Sequence, residues 1–104
     1  MSNATQHGFG IADIIGSNRE AILRLAEKYG AQNVRIFGSV ARGEARIDSD
    51  IDFLVDFRPD YKLLDHAALL IELEDLLGRK VEVAIAANLR EEYRSSIVQD
   101  AKPL

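Results

Sequence analysis

The stretch GSVARGEARIDSDID, Gly38–Asp52, decides how the rest of the chain is read. It opens on a Gly-Ser pair and ends on two aspartates, Asp50 and Asp52, around a single isoleucine. Before it, Asn33-Val-Arg-Ile-Phe37 is a β-rich run that Gly38 ends. After it, Ile51–Phe57 (IDFLVDF) reads as a second strand, stopped at Arg58-Pro59-Asp60 because proline cannot continue a ladder. Residues i and i+2 of a strand share a face, about 6.5 Å apart. Asp50 and Asp52 therefore project together, while Ile51, Phe53, Val55 and Phe57 project into a core. Two such carboxylates raise each other's pKa and tend to hold a proton. A divalent cation reverses that outcome. Mg²⁺ takes hard oxygen ligands and is commonly held by one or two carboxylates plus substrate phosphates. Taken alone, the spacing fits two solvated aspartates at a strand entrance just as readily.

Three further features bear on the choice. Gly38-Ser39 follows a predicted strand and opens a predicted short helix, Ser39 to Ala45. Free N–H groups at a helix start favour anions, and glycine allows a phosphate to approach closely. An ordinary turn has the same composition. In a third predicted strand, Lys80–Ala86 (KVEVAIA), Val81, Val83 and Ile85 share one face and leave Glu82 on the other with Ala84 and Ala86. Glu82 is either a third site carboxylate, if this strand neighbours the second, or an edge-strand residue facing water. Arg42 and Arg46 lie between the motif halves. They suit phosphate neutralisation in a fork geometry, or simple solvation. Ser49 caps a turn. Asp56 lies about 13 Å beyond Asp52 along the strand, too far to share its role.

Elsewhere, Ser17-Asn18-Arg19-Glu20 has the form of a capping box. Ile22, Leu25, Ala26 and Tyr29 then recur at helical spacing, and Gly30 suits the C′ position, which predicts a helix near 18–29. Ile11, Ile14 and Ile15 suggest an earlier helical turn. Leu63 to Leu77 is an apolar-rich helix closed by Gly78, with a stripe of Leu69, Leu70, Leu73, Leu76 and Leu77. Leu89 to Ala101 is a last helix, with Tyr93, Ile97 and Val98 on its buried side. Tyr29 is also expected in the core, His66 on a helix surface, and His7 in a disordered start. The order helix, strand, short helix, strand, helix, strand, helix favours an α+β fold, a small mixed sheet packed with helices. The expected organisation is an N-terminal segment 1–16, partly disordered, and one domain over 17–104.

Composition narrows the function. The chain has 104 residues, 47% hydrophobic, enough for a core without staples. It has no cysteine, which excludes disulfides and thiolate metal sites. The net charge of −4, from 17 acids and 13 bases, argues against general DNA binding. No apolar run approaches the roughly 20 residues of a membrane span. The start MSNATQHGFG lacks the form of a secretory signal. No membrane partner and a cytoplasmic location are expected.

Gly38-Ser39, ten residues, then Asp50-Ile51-Asp52 resembles the GS-x10-DxD motif of the DNA polymerase β-like nucleotidyltransferases. The string GSVARGEARIDSDIDFLVDF resembles their minimal, stand-alone members. The likeness runs from about Ala21 to the end and includes Gly78-Arg-Lys-Val-Glu82. It implies the nucleotidyltransferase fold, in which a mixed sheet carries three carboxylates. It implies that Gly38 and Ser39 contact the β- and γ-phosphates of ATP. Asp50, Asp52 and Glu82 would then be the catalytic carboxylates, binding two Mg²⁺ ions. Glu82 departs from the family's usual aspartate. The minimal members are similar to antitoxins encoded beside HEPN-domain toxins, often RNases. The resemblance thus implies AMP transfer from ATP to a tyrosine of a HEPN partner, and an assembly with that partner. A module that neutralises the toxin by contact, or a transferase acting on RNA or a small molecule, is the alternative.

Overall fold

The computed structural model describes residues 8–104. The expectations for His7 and for disorder over 1–7 lie outside the described residues. A first helical turn, α1 (Ile11–Ile15), leads through a 3-10 turn into α2 (Arg19–Lys28). The capping box is not formed. Ser17 lies in the 3-10 turn, and Asn18 precedes α2 without a side-chain cap bond. Gly16, at a φ of 53°, breaks the path between the two helices, and the tight turn occupies the residues a box would use. Gly30 follows the end of α2 with a φ of 83°, as its C′ position demands.

Four strands form one sheet in the order β3-β2-β1-β4: β1 (Ala31–Phe37), β2 (Ile51–Phe57), β3 (Val81–Ile85) and β4 (Lys102–Pro103). β1 pairs antiparallel with β2, β2 parallel with β3, and β1 antiparallel with β4. The parallel pair needs a long crossover, and α4 (Leu63–Leu77) supplies it. β1 starts two residues earlier than its composition suggests. A bulge between Gln32 and Arg35, with Asn33 at a φ of 54°, absorbs the polar residues. A short helix, α3 (Gly38–Arg42), ends early because Gly43 takes a left-handed conformation. The last helix, α5 (Glu91–Asp100), follows a 3-10 turn at Ala86–Asn88.

The core lies where α2 and α4 meet the sheet. Ile22, Ala26, Leu69 and Leu73 pack there with Ile36, Ile51, Phe53, Val55, Val81 and Val83. Phe57, at the strand's end, is only half-buried. Leu54, on the same side of β2 as Asp52, is also fully buried, where α5 and the 3-10 turn cover the opposite face of the sheet. That face is closed at Leu54 and becomes more open toward Asp52 and Asp50. Two expectations for α5 fail. Tyr93 and Val98 are more than half exposed, and only Ile97 turns inward. α5 is amphipathic only weakly, because it touches β1 and α3 without burying any of its residues fully. Tyr29 does pack against the core, with its hydroxyl on Glu72. His66 is not a free surface residue. Its Nε2 lies 2.8 Å from the carbonyl oxygen of Val83, and its ring meets Phe57 edge-on.

Candidate active site

The parallel register sets Asp52 directly beside Glu82. Neighbouring strands lie about 4.8 Å apart, so the two side chains leave the same face with little room between them. β3 is an edge strand, so Glu82 is both a site neighbour and exposed. Burial holds the Asp52 carboxyl above its ordinary value, and a proton shared with Glu82 raises it further, to about 6. The negative charges of Glu82 and Asp50 add to this, and the Arg42 charge opposes it. Asp50 sits one residue ahead of β2 and is exposed. All three carboxylates expected from the sequence thus gather at one end of the sheet. Among the described residues, however, no group of three His, Cys, Asp or Glu side chains is already spaced to hold a metal ion. Like charges without a cation between them have no reason to converge.

Gly38 joins this group for a reason the backbone makes clear. Its φ is 76°, a conformation that favours glycine. A Cβ at this position would collide with the Asp52 carboxylate. The glycine of the motif therefore leaves space for the second aspartate and lets the chain turn from β1 into α3. Ser39 follows and is half-buried. Arg42, exposed at the end of α3, donates to Glu44 at 3.0 Å and to Asp100 at 2.6 Å, which holds its pKa above the ordinary value. It is therefore neither a free phosphate ligand nor an unpaired surface cation. Arg46 is exposed. Asp56 is spent on Arg35 and Asn33.

The turn ahead of Asp50 is closed twice by Ser49. Its N–H donates to the Arg46 carbonyl at 3.1 Å, and its Oγ accepts from the Arg46 N–H at 2.7 Å. Two neighbours of the site went unrecognised in the sequence: Asp100, which holds Arg42, and Arg79, which binds this turn. The sequence separations, 58 and 30 to 33 residues, hide both.

A carboxylate pair that holds a proton, a third carboxylate beside it, and a glycine required by one of them form a set suited to a divalent cation and a phosphate. A family model described as a nucleotidyltransferase domain matches residues 19–104. The protein adenylyltransferase MntA of Thermococcus cleftensis is 37% identical over 76 residues, covering 73% of this chain and 77% of that protein. A solved structure described as a candidate minimal nucleotidyltransferase superposes with a TM-score of 0.77 at 49% identity, covering 85% of this chain and 90% of that one. A Shewanella oneidensis complex, a tri-AMPylated HEPN toxin with its MNT antitoxin, shares the fold at a TM-score of 0.63 and 19% identity, covering 83% of this chain and 67% of that one. The chain therefore belongs to the nucleotidyltransferase family, as a minimal nucleotidyltransferase enzyme.

Proposed function

We propose that this chain transfers AMP from ATP to a tyrosine of a partner HEPN toxin, and so acts as its antitoxin. The observation that carries the reading is the placement of Asp52 between Glu82 and Gly38. The reading draws its acceptor from the relatives, one named as a protein adenylyltransferase and one bound to a HEPN toxin bearing AMP groups.

The residues fit Mg²⁺, because a pair that shares a proton can exchange it for a cation. Asp50 and Asp52 would hold the ion on the triphosphate, and Asp52 and Glu82 the ion at the acceptor. When bound, Mg²⁺ supplies charge neutralisation for the triphosphate and makes the acceptor hydroxyl a better nucleophile. Gly38 and Ser39 receive the β- and γ-phosphates at the start of α3. Arg42 contributes charge once Asp100 and Glu44 share it with the nucleotide. The tyrosine oxygen forms a bond to the α-phosphorus, the bond to the bridging oxygen breaks, and pyrophosphate leaves. The tyrosine proton passes to solvent. Catalysis of this kind is mainly positioning and electrostatics.

Incubation with labelled ATP, Mg²⁺ and a HEPN partner tests the reading. Label on the partner, lost with Asp52→Asn, supports it. A second reading, neutralisation by contact alone, is favoured by glutamate at position 82, where the family usually has aspartate. A tight complex that stays unlabelled would select it. Label on RNA or on a small hydroxyl compound alone would refute both.

A further inference from the structure

Arg79, in the turn between α4 and β3, is not part of the three-carboxylate set. Its Nη1 donates to two backbone carbonyls, Arg46 at 3.1 Å and Ser49 at 3.0 Å. Among the described residues it forms no ion pair, and its side chain is half-buried. A guanidinium is planar and keeps its charge, so two carbonyls held by one nitrogen define the position of both. Those carbonyls are the two ends of the turn that Ser49 closes from within. The residue after Ser49 is Asp50. On the next step of the chain, the Ile51 N–H donates to the Lys80 carbonyl at 3.0 Å, which joins the same two segments again.

The geometry points to Arg79 as a positioning residue for Asp50. It ties the otherwise exposed turn 46–49 to the start of β3, the strand that carries Glu82. The carboxylates on β2 and β3 are matched in register by the sheet itself. Asp50 lies outside the sheet and has no ladder partner. Its backbone is instead fixed at Ser49 by Arg79 and at Ile51 by Lys80. This inference rests on the nucleotidyltransfer reading for its purpose, but not for the contacts.

The test uses the full chain with Arg79→Met and Arg79→Lys, and two readouts. The first is hydrogen exchange of the amides of residues 46–50. The second is Mn²⁺ binding followed by electron paramagnetic resonance, with AMP-PNP present. In Arg79→Met, exchange over 46–50 should quicken about tenfold while β2 and β3 keep wild-type protection. Mn²⁺ affinity should fall about tenfold. Arg79→Lys, with a single point charge, should lie between. If Arg79→Met does not fold, Arg79→Lys is judged by the same criteria. Wild-type exchange in the turn together with wild-type Mn²⁺ affinity overturns the proposal. So does equal acceleration throughout β2 and β3, which would mark a general loss of stability. If the wild-type protein binds no Mn²⁺, the nucleotidyltransfer reading fails. The exchange measurement then still decides whether Arg79 holds the turn.

Discussion

Asp52 works against the stability of the metal-free protein. Its carboxyl is held at about 6, against an ordinary value of 3.8, so the folded chain binds a proton there that the unfolded chain has lost. Stability is therefore highest below about pH 4 as far as this group is concerned. It falls as pH rises toward about 6 and levels off above. Because the site is partly open to water, the loss should not exceed about 1 kcal/mol. Thermal melts in a chelator between pH 4 and 8 should show this slope, and Asp52→Asn should lack it. At pH 7.5 that variant should melt higher than wild type yet lose orders of magnitude in transfer rate. Gly38 gives the companion prediction. An alanine there meets both a φ of 76° and the Asp52 carboxylate. Gly38→Ala should cost about 1–2 kcal/mol, read by urea unfolding, and should depress activity further than that loss explains, because it displaces Asp52.

β3 depends on the end of α4 for its start. Glu74 Oε2 accepts from the Val81 N–H at 3.0 Å, where an edge strand lacks a neighbour on one side. Glu74→Ala leaves that donor without its partner and should destabilise by about 1–2 kcal/mol in urea melts, whereas Glu74→Gln keeps an acceptor oxygen and should recover most of the loss. If the two variants match, the bond is not what anchors the strand. Elements of this kind show how far the chain can be read without coordinates. β2 and α4 were legible to the residue, because Pro59 and Gly78 punctuate uninterrupted apolar runs. β3 and α5 were legible to within two residues at each end. β4 was not, since Lys102 and Pro103 have little strand propensity and owe their conformation to pairing with β1. The orientation of α5 was also lost, because few of its side chains are buried and its periodicity carries little information. Local composition predicts an element best when the element buries its own face.

The candidate site was legible only in part, because a cluster of acids is electrostatically costly but does not name its own cause. Spacing and parity put Asp50 and Asp52 on one face and Glu82 beside small alanines, but on their own they fit solvated acids equally. It was the longer Gly38-Ser39…Asp50-Ile51-Asp52 string that singled the three out. Only the parallel register brought Glu82 to Asp52, and pairing between distant strands is not encoded in either strand. The ties from Asp100 and Arg79 were hidden because they join segments remote in sequence. Taken together, these charges set a condition on the ligand. Under the proposed function, ATP would have to approach a chain of net charge −4 at a place where three carboxylates gather. The nearby cation Arg42 is already shared between Glu44 and Asp100. Free ATP should therefore bind poorly, and Mg²⁺ without nucleotide should lack most of its oxygen ligands. Each should bind well only with the other. Ligand that binds the folded chain alone stabilises it by about 2.7 kcal/mol at a hundredfold excess over Kd, which for a domain of this size raises Tm by at least about 10 °C. In thermal melts, ATP alone and Mg²⁺ alone should each give a small fraction of that shift, and the two together should give all of it. Asp52→Asn should abolish the joint effect while leaving the protein folded. An equal shift with ATP in a chelator would mean that the triphosphate is held by cationic side chains, and the carboxylates would then need another explanation.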